Sequence, residues 1–231
     1  MNEVIPVNLF SKQVKRKKMI QTAPFEQYTQ EYEAWFDKYQ AVYESELIAI
    51  KDQMLKLPQN IRGVEIGVGS GRFAGPLGIK DGVEPAEEMR LLAAKRGIEV
   101  MDAKGERLPY ADLQFDFALF VTVCHLENPL AAFKESHRIL KPGGSIIVGF
   151  IDKELPIGQE YQERRSTSRF YRRANFYTVD RVSKMLNDAG FRNLDFIQTL
   201  FGGLDEIKDV ESPKPGYGEG SFVVVKADKK K

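Results

Sequence analysis

The chain is poor in the residues that build covalent and metal frameworks. Its 231 residues hold one cysteine, Cys124, and two histidines, His125 and His137. A single thiol excludes an internal disulfide, a cysteine-rich zinc site and a dithiol redox pair. Two histidines leave no set for an all-protein transition-metal site, so no metal is expected. A surplus of one charge is also missing: 34 Lys and Arg stand against 33 Asp and Glu, for a net charge of +1. That balance lacks the electrostatic footprint of a nucleic-acid binder. No apolar run approaches the roughly 18 residues of a membrane span. The opening segment MNEVIPVNLFSKQVKRKKMIQ has no signal-peptide core. The expectation is a cytoplasmic protein in a reducing compartment.

What is present is a globular composition, 42% hydrophobic and 29% charged. The length allows one large domain or two small ones. No second boundary is visible, so one domain over residues 23–231 is expected after a flexible arm, 1–22, with its basic run Lys15, Arg16, Lys17 and Lys18. From Pro24 to Leu57, Tyr28, Tyr32, Trp35, Phe36, Tyr39 and Tyr43 recur at steps of three and four. That is a helical face, either packed on a core or serving as a lid (24–57) over a ligand.

From Gly63 the period changes. Short apolar strands are expected at 63–67, 81–84, 98–102, 115–122 and 144–150, with helices at 73–77, 86–96 and 129–140 between them. Such alternation predicts a parallel sheet covered on both faces. Residues 153–177 are polar, Arg-rich and aromatic. A helix capped by Thr178 should stop at Gly190. Strands at 191–200 and 221–226, separated by a loop at 202–219, should form a final antiparallel pair.

The most informative stretch is Val64-Glu65-Ile66-Gly67-Val68-Gly69-Ser70-Gly71. Glycine allows a sharp strand-to-helix turn and close approach of a ligand to the backbone. In open α/β sheets ligands bind beyond the carboxyl ends of the strands. The acids Glu65, Glu84 and Asp102 fall at such ends. Three converging carboxylates repel a pyrophosphate and suit a ligand with an ammonium group, a ribose and an adenine. A nicotinamide-dinucleotide fold is the competing reading, because Gly69-x-Gly71-x-x-Ala74 matches its fingerprint. Against it, Glu84 lies only 15 residues after Gly69, short of the usual spacing of about 20.

Five segments in order resemble class I S-adenosylmethionine-dependent methyltransferases, in particular the type 11 domain similar to ubiquinone/menaquinone-biosynthesis methyltransferases. They are the glycine segment; Gly82-Val83-Glu84-Pro85; Asp102-Ala103 with Leu108-Pro109-Tyr110; Phe115-Asp116; and His137-Arg138-Ile139-Leu140-Lys141-Pro142-Gly143-Gly144. The resemblance spans about residues 25–226. It implies a Rossmann-like three-layer α/β/α sandwich. The seven-stranded, mostly parallel sheet would have the order 3-2-1-4-5-7-6 and an antiparallel last strand.

It further implies S-adenosylmethionine as cofactor. Gly67, Gly69 and Gly71 would carry the backbone against its methionine part, with Glu65 on the ammonium. Glu84 would take the ribose hydroxyls, with Pro85 beside it. Asp102 and the Ala103 amide would take the adenine, Met89 would pack on its ring, and Thr122 would stand beside the sulfur. As a rim residue, Glu84 is expected to matter to the ligand and little to the ligand-free fold. His125 is the candidate general base, with a packing histidine as the alternative. Tyr28 and Tyr32 share a helical face and are lid candidates. Arg165, Arg169 and Arg172, in a cap insertion (153–177), would favour an anionic small-molecule acceptor. A non-catalytic S-adenosylmethionine-binding protein remains the non-enzyme alternative.

Overall fold

The structure is a computed structural model that describes residues 24–230. The arm at 1–22 and its basic run lie outside the described residues. After a turn of helix at 24–27 come α1 (Thr29–Lys38) and α2 (Gln40–Met54). The alternating part follows as β1 (Gly63–Ile66), α3 (Ala74–Leu77), β2 (Asp81–Val83), α4 (Glu87–Lys95) and β3 (Glu99–Met101). It continues with β4 (Phe115–Val121), α5 (Pro129–Ile139), β5 (Leu140–Ile151) and α6 (Pro156–Glu163). The chain ends with α7 (Val179–Asp188), β6 (Phe191–Thr199), β7 (Lys214–Pro215) and β8 (Phe222–Lys229).

These strands form one sheet of order β3-β2-β1-β4-β5-β8-β6-β7. β1 to β5 pair in parallel, and β8 is antiparallel to both β5 and β6. The expected order holds with one addition. Inside the segment expected to be a loop, β7 adds a two-residue edge strand through Ile197↔Pro215 and Gln198↔Lys214.

Side chains of β4 alternate between two layers, as a strand buried on both faces requires. Ala118 and Phe120 join the core under α5 and α7, whereas Phe117, Leu119 and Val121 join the core under α2 and α3. The expected Thr178 cap is present, accepting from the Arg181 amide at 3.2 Å, and α5 has a cap of its own in Asn128, which accepts from the Ala131 amide at 3.1 Å before Pro129.

β5 starts earlier than expected because its first residues bulge. Pairing jumps from Phe115↔Leu140 to Phe117↔Ser145, leaving Lys141-Pro142-Gly143-Gly144 looped out. Gly143 sits at φ 78°. A Cβ on Gly144 would lie 2.8 Å from the Asp116 carbonyl oxygen. Arg138 holds the same corner, donating to the Leu108 and Tyr110 carbonyls and to Glu135 and Asp112. That motif is scaffolding. Among the described residues no helix is long and apolar enough to cross a membrane.

Candidate functional site

At the carboxyl ends of β1, β2 and β4 the chain cannot continue as strand. The Gly67 and Val68 amides both donate to the Val83 carbonyl, at 2.8 and 3.0 Å. Gly67, Gly69 and Gly71 have φ of 76°, 53° and 83°, a region that residues with a Cβ enter at a cost. At Gly71 a Cβ would also meet Ile98 Cδ1 at 2.5 Å. The resulting loop opens onto a cavity of about 350 Å³.

The inner wall of the cavity is this sheet edge: Gly67, Gly69, Glu84, Pro85, Met89, Ala103 and Thr122 all line it. Glu84 is 8% exposed and does more than face a ligand. Its two carboxylate oxygens accept from the Gly69 amide at 3.1 Å and the Ala86 amide at 2.8 Å. The acid expected to sit idle in the ligand-free fold therefore closes the glycine loop. Burial outweighs these bonds and pushes its carboxyl up to about 7.

Glu65 lies just behind the wall, 1% exposed. It accepts from the Ala74 amide, while its Oε2 has no partner among the described residues. Burial raises its pKa well above the carboxylate range. An orphaned acceptor in this position fits the ammonium group of a bound amino acid moiety. Gly71 and Asp102 also fall outside the cavity lining. Gly71 packs against α4 and Ile98. Asp102 is exposed beside Ala103 and pairs with Arg90 at 3.4 Å.

Thr122 follows β4 in the left-handed region, φ 60° and ψ 64°, and its hydroxyl donates to the Val121 carbonyl at 2.6 Å. Such a conformation costs a β-branched residue about 1–3 kcal/mol and clusters at functional sites.

The outer wall comes from α1, α2 and the stretch after β5. Phe25, Tyr32, Trp35, Tyr161, Phe170 and Tyr171 supply rings, and Glu46 a carboxylate. Tyr32 makes edge contacts with Phe25 at 5.8 Å and Phe36 at 5.2 Å, and its hydroxyl lies over Gly69. α1 is clamped to the glycine loop through Glu33, which accepts from the Ser70 hydroxyl, from Arg72 at 3.0 Å and from Arg96 at 2.6 Å. Burial pushes the Glu33 carboxyl up, but the Ser70, Arg96 and Arg72 bonds prevail and leave it below its usual value. Glu26, just before α1, accepts from the Glu87 and Glu88 amides at 2.7 and 3.1 Å and so caps α4.

His125 lines the cavity between the edge of Phe25, at 5.1 Å, and the face of Tyr171, at 5.8 Å. Burial pushes its imidazole down to about 4, so it is neutral at pH 7 and a weak base. Burial pushes the neighbouring Cys124 thiol up to about 12, which leaves it unreactive.

Four other expected residues are not in the lining. Arg169 stands over the Tyr28 ring at 4.3 Å and pairs with Glu31, which lines the cavity, while Arg169 and Tyr28 themselves stay outside the lining. Arg165 donates to the Arg172 carbonyl, and Arg172 to the Ser166 carbonyl. The aromatic residues interleaved with these arginines reach the cavity instead. Sequence reasoning passed over Glu46 and Glu33, which look like any other acid on a polar helix.

The family model of a methyltransferase domain matches residues 64–148, which hold the whole inner wall. An uncharacterized protein of Methanocaldococcus jannaschii is 46% identical over 206 residues, 89% of this chain and 98% of that protein. The crystal structure of a SAM-dependent methyltransferase from Thermotoga maritima, described as a possible histamine N-methyltransferase, superposes with a TM-score of 0.86. It is 45% identical and covers 91% of this chain and 100% of that one. A ubiquinone biosynthesis O-methyltransferase of Ruegeria pomeroyi is 29% identical over 152 residues, 58% of this chain and 61% of that protein. The family match and the Thermotoga maritima relative give S-adenosylmethionine as the cofactor, and the nicotinamide alternative is set aside. The chain belongs to the class I S-adenosylmethionine-dependent methyltransferases.

Proposed function

We propose that this methyltransferase acts on a small-molecule acceptor held in the cavity between the sheet edge and the outer aromatic wall. In this reading the segments 24–57 and 153–177 serve as lid and cap. The observation that carries it is the wall itself: rings from both segments enclose a space of about 350 Å³ against the glycine loop. Cofactor and acceptor would share that space, which favours an acceptor of small size. The Thermotoga maritima relative supports the reading, since histamine is an acceptor of this scale.

Bound S-adenosylmethionine supplies a methyl group already activated on a sulfonium. The chain's task is then to bind, orient and keep water out. Glu65 would hold the ammonium and Glu84 the ribose hydroxyls, with Asp102 and the Ala103 amide on the adenine and Met89 and Pro85 against its ring. The aromatic wall excludes water and limits the poses of the acceptor, and alignment of that kind lowers barriers by about 7–11 kcal/mol. A neutral nucleophile needs no base. His125, neutral and flanked by rings, then acts as part of the wall.

The test incubates the enzyme with methyl-labelled S-adenosylmethionine and a cell extract separated into low-mass and macromolecular fractions. Enzyme-dependent label is expected in the low-mass fraction. Label confined to protein or nucleic acid would overturn the proposal.

A further inference from the structure

The charge of the cavity wall is one-sided. Glu31, Glu46, Glu84, Glu106 and Glu127 line it, against one lining cation, Lys104, which pairs with Glu127, and Arg169, which pairs with Glu31 from outside the lining. None of the arginines that suggested an anionic acceptor, Arg165, Arg169 and Arg172, is in the lining. Most of the acids have evident work or open water, and Glu46 has neither. It projects from the middle of α2, is 5% exposed, and lines the cavity. No donor among the described residues reaches its carboxylate, and burial alone pushes its pKa up to about 8. Burial raises the pKa of the Tyr161 and Tyr171 phenols, and the charge of Glu46 adds to it in both. Their rings stack at 4.5 Å and line the same cavity.

Burying a carboxylate without a partner costs several kcal/mol. The partner that would offset this must enter through the cavity. Aromatic faces carry negative potential and attract cations, so rings and carboxylate act in the same sense. An organic ammonium group fits both: its N–H bonds go to the carboxylate and its C–H surface to the rings.

We propose that Glu46 anchors a protonated amine of the methyl acceptor, at an atom other than the neutral one that takes the methyl group, which makes the acceptor an organic ammonium compound and not a carboxylate or phosphate. This rests on the small-molecule reading above and names its substrate class. Glu46 is a specificity residue on the acceptor side, separate from the strand-end acids that serve the cofactor.

The test is calorimetry on enzyme saturated with S-adenosylhomocysteine, titrated with 2-phenylethylamine, its neutral isostere 2-phenylethanol, phenylacetate and tetramethylammonium. The amine is expected to bind at least about tenfold more tightly than the alcohol, as a charge-assisted bond would give. Tetramethylammonium should bind and phenylacetate should not. Glu46→Gln should erase the preference for amine over alcohol while leaving affinity for S-adenosylhomocysteine unchanged, which also shows that the variant is folded. Equal binding of amine and alcohol, tighter binding of phenylacetate, no binding of any probe, or a preference that survives Glu46→Gln would each overturn the proposal. Low-mass label in the transfer assay combined with any of these results would refute the ammonium anchor and leave the small-molecule reading standing.

Discussion

The two walls of the cavity are built by different means. The inner wall is made by backbone: a loop with three glycines at positive φ, of which Gly67 and Gly69 face the cavity and Gly71 packs behind, two amides on the Val83 carbonyl, and Glu84 closing the loop. The outer wall is made by side chains: rings from α1 and from 161–171 with one carboxylate among them, tied down by Glu33 and Glu26. Backbone geometry tolerates few residue types, so it leaves a motif. Side-chain walls can be rebuilt from many residues without disturbing the sheet, so they leave none. A single fold can keep one cofactor and change its acceptor in this way.

Breaking the inner wall should cost most. Gly71→Ala places a Cβ at φ 83° within 2.5 Å of Ile98 and 3.3 Å of Ala93 Cα. Left-handed strain and overpacking together are expected to cost about 2–5 kcal/mol. Denaturant unfolding would measure this, and an unchanged midpoint would contradict the account.

Glu84→Ala should weaken S-adenosylhomocysteine binding by about 1.5–3 kcal/mol, the loss of bonds to a charged acceptor. It should also destabilise the ligand-free protein, because the Gly69 and Ala86 amides lose their partner. In the wild type, the Glu84 carboxyl near 7 predicts affinity that falls as pH drops through about 7. The sign follows because ribose hydroxyls donate to the ionised form. For folding the sign is opposite: a raised carboxyl pKa makes the native state gain protons, so this group adds stability as pH falls from about 7 towards the unfolded value of about 4.3. Calorimetry and unfolding across pH 5–8 would separate the two.

The outer wall should break more gently. Glu33→Gln removes a charged acceptor from Ser70, Arg72 and Arg96, and is expected to cost α1 about 1–3 kcal/mol of local stability. Hydrogen exchange in α1 should accelerate while β1 and β4 stay protected; equal acceleration everywhere would show that the clamp is not local. With its pKa lowered, the Glu33 clamp should persist at neutral pH and be lost only as pH falls through its depressed value, below about 4.3. Glu26→Ala removes a cap supplied from outside α4, for about 0.5–2 kcal/mol. It should show as faster exchange at 87–90 alone.

The same contrast sets what could be read from sequence. β4 and β5 were legible because central parallel strands are near-continuous apolar runs, β1 and β2 because short strands there run into glycines or an acid, and the glycine loop because only glycine accepts its geometry. Two exposed residues, Lys214 and Pro215, make too short a strand to carry a periodicity. The start of β5 was hidden because its bulge reads as a turn. On the outer wall the helical aromatic spacing pointed to Tyr32, which lines the cavity, but Tyr28, four residues earlier, lies outside the lining under Arg169. The arginines of 161–173 drew attention by charge, and charge has no direction in a sequence. Glu46 carried no signal at all, since its meaning lies in the rings that the fold brings around it.

A crystal structure of the complex with S-adenosylhomocysteine tests the central claim most directly. The account predicts the ribose on Glu84, the adenine ring against Met89 and Ala103, and the sulfur facing the space bounded by Glu46, Tyr161 and Tyr171. A ligand bound elsewhere, or one whose sulfur turns away from that aromatic wall, would contradict it.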